Sequence, residues 1–382
     1  MKIEYLFSSP EGDISAGRNE LKMPFKLSPW EDHPFLTLGD YFDALRDFVL
    51  MDKGRVLALI LERLLDTGHS IDSITKILIR SDKHGALYHL SSIEVFDESR
   101  HVKFSVSTAV SERGRGILSR EYLLLKSLGE KNDSTYLPQP FLFKEMENRS
   151  GPQTEKFSFL AAEWFDNYHE WHISRDRKQE ERILIWDLEN GYRFASDEEG
   201  FEILKKAAMI LSLYYDIPTL RQIYPWHHAA GDFIVRPGNG EISVKLTTAR
   251  NYEPIKCFSS EKVPDPVTGL VYFFINLSIR IRLDKIDGEG ESVLAGDFSV
   301  EAAAKGFFEA LCIKRKNGMY NIGGPDELLS ILRSFNPDEL KRLYKPLMDV
   351  YEEEDPEDFR VIESGLESHI GLLMKTLHEI RL

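Results

Sequence analysis

Cysteine is scarce in this chain. Cys257 and Cys312 are the only two in 382 residues. That is too few for a disulfide framework, and alone they build no zinc site, which points to a reducing compartment. Long apolar runs are missing as well. The best stretches, residues 56–65 and 271–283, are interrupted by Glu62, Arg63, Arg280 and Arg282. Neither reaches the roughly 20 apolar residues of a membrane span. The opening Met1-Lys2-Ile3-Glu4-Tyr5 lacks the apolar run of a signal peptide, so the chain is expected in the cytoplasm, away from membranes. Positive charge is in deficit: 48 Lys and Arg stand against 63 Asp and Glu, a net charge of −15. That field repels phosphate backbones and excludes a general nucleic-acid binder, while one local basic pocket can still hold a single phosphate. There is no repeat of 20–50 residues and no low-complexity tract.

What is present is globular. Hydrophobic residues make up 42% and charged residues 29%, values of an ordinary folded chain. At roughly 100–200 residues per domain, the length implies two or three domains or one two-lobed body. A chain of this size buries enough surface to fold without staples.

The first 35 or so residues carry Ser9-Pro10, Ser28-Pro29 and His33-Pro34 and read as an irregular arm. Thr37 then stands as an N-cap before apolar residues at Tyr41, Phe42, Leu45, Phe48 and Val49. After Lys53-Gly54 they resume at Val56, Leu57, Ile60, Leu61, Leu64 and Leu65. This spacing predicts one or two amphipathic helices closed by Thr67-Gly68. The period then shifts to two. Strands are predicted at 74–79, 86–96 and 101–110, with a turn at Asp82-Lys83-His84-Gly85. A helix at 117–128 follows, then strands at 141–145 and 157–164. The order strand, strand, strand, helix fits an antiparallel sheet with a packed helix, an α+β arrangement. After Glu163-Trp164-Phe165 the composition turns helical, with a strong helix at 197–216. Residues 233–235 and 241–246 form a hairpin across Pro237-Gly238-Asn239-Gly240. From about residue 267 onward the chain is mainly helical. The divisions expected are 1–70, an arm with a helical extension; 71–165, a sheet-rich lobe; and 166–382, a mainly helical lobe.

From residue 74 to 251 this order resembles the protein-kinase-like fold, most closely the aminoglycoside and choline phosphotransferase branch. Three anchors carry the resemblance. Ser119-Arg120-Glu121-Tyr122-Leu123-Leu124-Leu125 with Leu137-Pro138 is similar to the helix whose glutamate pairs with a strand lysine. Phe159-Leu160-Ala161-Ala162-Glu163-Trp164-Phe165 looks like the linker between lobes that holds an adenine. His227-His228-Ala229-Ala230-Gly231-Asp232-Phe233-Ile234-Val235 resembles the catalytic loop H-G-D-L-H-P-G-N-I-L-V. Aligned through Gly231 and Ile234-Val235, the catalytic aspartate falls on His227 and the magnesium-binding asparagine on Asp232. Thr247 stands where a metal-binding aspartate belongs, and Lys103 is the strand lysine nearest the expected phosphate-gripping position. The glycine-rich loop is reduced to His84-Gly85.

The resemblance implies a two-lobed core with a cleft built from Lys103, Glu121, Glu163, His227, His228, Asp232 and Thr247. Phosphoryl transfer needs neutralised phosphates and a group that accepts the hydroxyl proton. If the site is active, ATP and Mg²⁺ are the implied cofactors. Histidine is a reasonable base at neutral pH, so His227 takes that role. Asp232 holds the hard cation, and Glu121 partners the lysine. If it is inert, the chain is a pseudokinase-like module that binds a nucleotide, a phosphorylated small molecule or a protein partner, or a regulatory scaffold keeping only the fold. A separate constellation is His169-Glu170-Trp171-His172. On a helix its two imidazoles share a face. With His228 and Asp232 they offer a transition-metal site, since imidazole suits Zn, Fe and Ni; packing of the lobe junction is the other reading. Arg236, Lys245, Arg250 and Lys256 form a basic cluster that meets an anion at the cleft mouth or caps a solvated hairpin.

Overall fold

Alternating apolar residues in residues 76–109 build the middle of a seven-stranded sheet. The computed structural model describes residues 1–9, 12–28, 31–65, 71–85, 87–98, 100–131, 136–150, 153–188, 190–238, 241–258 and 264–382. The chain divides into two compact units, Met1–Asp166 and Asn167–Leu382. The helix stop at Thr67-Gly68, the strand start at Ala86 and the hairpin tip at Asn239-Gly240 lie outside the described residues.

The first unit runs β1 (Lys2–Ser9), β2 (Gly12–Ser15), β3 (Pro24–Ser28), β4 (Glu31–Thr37), α1 (Leu38–Val49), α2 (Met51–Leu65), β5 (Lys76–His84), β6 (His89–Phe96), β7 (His101–Ala109), α3 (Glu112–Lys131), β8 (Pro140–Ser150) and β9 (Gln153–Glu163). The main sheet has the order β2-β1-β5-β6-β7-β9-β8. It is mixed rather than antiparallel throughout, because β1 runs parallel to β5, with Lys2 opposite Lys76 and Phe7 opposite Ser81.

The described residues among the first 35 are therefore not an irregular arm but largely strands β1 to β4. Their period-two signal is short: Ile3 and Tyr5 pack on the core, and Tyr5 stacks on Phe42 at 4.8 Å. Nor do residues 82–84 turn, since β5 continues to His84 with a bulge between Ser81 and Lys83.

Helices α1 and α2 form as their spacing predicts. Thr37 caps α1 in a capping box with Asp40, satisfying orphan amides at the helix start. At the start of the α2 range Asp52, Lys53 and Gly54 break the helix with left-handed φ values of 54°, 59° and 84°. Phe42, Leu45, Phe48, Leu57, Ile60 and Leu61 then bury against Ile77, Ile79, Ile93, Val95, Phe104 and Val106 of the sheet.

The second unit begins with β10 (Glu170–Arg175), β11 (Glu181–Trp186) and β12 (Arg193–Phe194), a three-stranded sheet where the composition predicted helix. In β10 Trp171, His172, Ile173 and Ser174 are all buried, so no alternation marks it as a strand. Next come α4 (Asp197–Tyr214), capped by Ser196 with Glu199, β13 (Arg221–Ile223), β14 (Phe233–Pro237), β15 (Ile242–Leu246) and β16 (Tyr252–Pro254). β14 and β15 pair from Phe233–Leu246 to Pro237–Ile242, the expected hairpin. The remainder is α5 (Pro266–Arg280), β17 (Leu283–Lys285), β18 (Ser292–Leu294), α6 (Phe298–Lys316), α7 (Pro325–Ser334), α8 (Pro337–Glu354) and α9 (Pro356–Glu379). The whole chain is thus mixed α and β. Among the described residues no helix is long and apolar enough to cross a membrane.

Candidate functional site

In the first unit, Lys103 and Glu94 are cross-strand neighbours on β7 and β6. Lys103 Nζ lies 3.5 Å from Glu94 Oε1 and 4.2 Å from the centre of the Trp164 ring. Arg80 Nη1 donates to the same Oε1 at 2.8 Å. Burial alone raises the Glu94 pKa, but Lys103, Arg80 and His101 outweigh it and hold the carboxyl below its ordinary value. Glu121 is buried on α3, and its Oε2 accepts the Tyr88 hydroxyl at 2.7 Å. The lysine expected to meet Glu121 is therefore engaged by Glu94. Glu163 Oε2 accepts the Gln139 amide at 3.2 Å, so its side chain braces the turn before β8.

Asp82 is the extra residue at the β5 bulge. Its Oδ2 is sealed from solvent with no hydrogen-bond partner among the described residues. Burial pushes the carboxyl up to about 6, offset in part by Ser92, Lys103 and Arg80.

In the second unit the loop before β14 is pinned from within. Asp232 is buried, and Arg250 grips it bidentately: Nη1 to Oδ2 at 2.8 Å and Nη2 to Oδ1 at 2.7 Å. The His227 amide donates to the same Oδ2 at 2.9 Å. A divalent cation at these oxygens would sit beside a fixed guanidinium, and two like charges at that range repel strongly in a buried setting. Thr247 Oγ1 donates to the Asp232 carbonyl at 3.2 Å, so the hydroxyl serves the hairpin backbone. These donors do not fit Mg²⁺.

His227 is committed at both ring nitrogens. Nδ1 accepts the Ala229 amide at 3.0 Å, and Nε2 meets Asp358 Oδ2 at 3.2 Å. The tautomer that satisfies both contacts carries its proton on Nε2, which leaves no free lone pair to take a proton from a substrate hydroxyl. Asp358 also accepts Ser292 Oγ at 2.9 Å. Burial raises the Asp358 pKa, but His227, Arg280 and Ser292 together lower it.

The metal site expected from His169, His172, His228 and Asp232 does not assemble among the described residues. His169 is bridged to Val235 just before β10, and residues 170–172 are strand, not helix; an odd spacing on extended backbone sends side chains to opposite faces. His169 Nε2 lies 3.7 Å from Asp187 Oδ2. His172 sits between Asp284, at 3.5 Å, and Glu170, at 3.8 Å. Burial lowers its pKa, but the two carboxylates outweigh that and raise it. His228 is fully buried, donates from Nε2 to the Ile281 carbonyl at 3.0 Å and packs 4.5 Å from the Trp171 ring. Burial pushes its pKa down to about 4, so it is neutral at ordinary pH. Among the described residues no three His, Cys, Asp or Glu side chains converge to hold a metal ion.

The basic cluster disperses too. Arg250 goes to Asp232, Lys256 to Glu354, and Arg236 and Lys245 flank the Tyr168 ring. The residues that sequence reasoning missed are Asp358 and Asp284. Asp358 lies 131 positions from His227 and reads locally as an ordinary acidic residue in a helix first turn.

No family model matches the chain, and no curated protein matches it.

Proposed function

We propose that the chain is a kinase-like protein that binds without transferring phosphate, a pseudokinase-like module. Support for the fold comes from the run of three strands, a helix and two strands in β5, β6, β7, α3, β8 and β9, followed by a loop and hairpin at residues 227–246. The observation that carries the function is the bidentate Arg250–Asp232 pair. It puts a guanidinium where phosphoryl transfer needs a metal-holding carboxylate. The engagement of Lys103 by Glu94 and of both His227 nitrogens points the same way.

A thermal melt with ATP and Mg²⁺ tests this reading. A ligand that binds only the folded state raises the midpoint. The expected result is a rise with ATP that Mg²⁺ does not increase, and no Mg²⁺-dependent ATP turnover. ATP turnover that is lost in a folded His227→Ala variant would sink the reading and restore the imidazole to a mechanism.

A further inference from the structure

Three consecutive residues of β10 each hold an acidic residue of the β17–β18 hairpin. The Ile173 amide donates to Asp284 Oδ2 at 2.8 Å. The Ser174 hydroxyl donates to Asp287 Oδ1, and Arg175 pairs with Glu291. The hairpin loop is shaped for this close approach. Asp287 and Gly288 have φ of 53° and 77°, and a Cβ at Gly288 would lie 3.0 Å from His172 Nε2. The loop backbone therefore rests on the His172 imidazole. The same hairpin carries Ser292, which donates to Asp358 Oδ1, while Asp358 Oδ2 meets His227 Nε2.

His172 and Asp284 are both buried. Both ring nitrogens of His172 face carboxylates: Nδ1 lies 3.5 Å from Asp284 Oδ1, and Nε2 lies 3.8 Å from Glu170 Oε2. A neutral imidazole has one N–H and one bare lone pair. In either tautomer that lone pair points at an oxygen that only accepts. Nδ1 is sealed from solvent and makes no hydrogen bond among the described residues. Only the imidazolium offers a proton to both carboxylates. The other charged groups on the elements packed against β10 have different partners. His228 donates to the Ile281 carbonyl and is neutral. Arg182 of β11 donates to the Ala195 carbonyl, and Glu181 pairs with Arg175. Arg236 of β14 lies against the Tyr168 ring, and Lys285 of β17 pairs with Glu357. The Trp186 ring meets His172 edge-on at 4.6 Å.

We propose that His172 is a proton-operated latch, whose imidazolium clasps the β17–β18 hairpin to β10 and whose neutral form lets the hairpin loosen. Burial lowers the His172 pKa, but Asp284 and Glu170 outweigh it and hold the pKa above the ordinary 6.5. The clasp is therefore full below the ordinary value and is lost as pH rises through the higher value of the folded state. The backbone and side-chain ties from Ile173, Ser174 and Arg175 do not depend on this proton, so the hairpin loosens without leaving β10. The latch does not rest on the kinase-like reading, and either can fail without the other.

The test uses the full chain. The His172 ring signals are titrated by NMR. Hydrogen exchange of the amides of residues 286–291 is read at about pH 6 and about pH 9, corrected for the intrinsic rate at each pH. We expect a His172 midpoint above 6.5 and protection at least about threefold lower at the higher pH. Glu170→Gln removes the more exposed of the two carboxylates and should lower the His172 midpoint. His172→Gln keeps a donor and an acceptor but takes no second proton, so it should abolish the pH dependence of protection. Near-ultraviolet circular dichroism checks that each variant is folded, and the midpoint in Glu170→Gln decides if His172→Gln is not. Four results overturn the proposal: a His172 midpoint at or below the ordinary value, equal protection at both pH values, an unmoved midpoint in folded Glu170→Gln, or the same pH dependence in folded His172→Gln.

Discussion

A charged side chain takes its role from its partner, and the partner is often far away in sequence. Asp232 and His227 were legible as a pair of interest because the Gly231-Asp232-Phe233 turn and its hairpin are local. Their actual roles were not, because Arg250 and Asp358 had to arrive from other elements. Asp82 makes the same point. The folded carboxyl holds its proton up to about pH 6, against 3.8 for the ordinary group. The folded state thus binds more protons between these values. Its stabilising contribution is full below the lower value and is lost as pH rises through the upper one. Asp82→Asn should therefore stabilise the protein at pH 8, by about 1–3 kcal/mol, and by less at pH 5. Urea unfolding at the two pH values measures this. Equal differences at both would remove Asp82 from the pH dependence.

At the scale of the element, patterns with a clear period were read correctly and patterns without one were not. Helices α1 and α4 carried caps, and α1, α2 and α4 a 3.6-residue apolar stripe. Strands β5, β6 and β7 carried β-branched residues in alternation. β10 buries both of its faces, polar residues included, and so carries no stripe of either kind. The break between α1 and α2 was visible as Lys53-Gly54, but its demands were not. Gly54 has φ of +84°, and a Cβ there would lie 2.6 Å from Ile71 Cδ1. Gly54→Ala should cost about 1–3 kcal/mol through strain and crowding. In α3, Gly129 has nothing within 4 Å of a built Cβ, so Gly129→Ala should gain about 0.5–1 kcal/mol from helix propensity. Denaturant midpoints of the two variants should move in opposite directions; movement of both in the same direction would refute the account of the break.

On the scale of the whole molecule, composition excluded whole classes of protein but could not divide the chain by itself. Each of the two units has its own buried core: the sheet with α1 and α2 in one, and the helices around Phe274, Phe307 and Phe308 in the other. A segment with its own core can fold alone. Residues 1–166 and 167–382, expressed separately, should each melt cooperatively by circular dichroism, and a fragment that melts without a transition would show that its core is incomplete. The parallel pairing of β1 with β5 has a further consequence for synthesis. Lys2 faces Lys76, so β1, once it has left the ribosome, has no neighbour on that side until some seventy more residues have been translated. At about 5–20 residues per second that wait is roughly 4–15 seconds. During it, that edge of β1 is bare, and that is the moment at which a chaperone would have most to do.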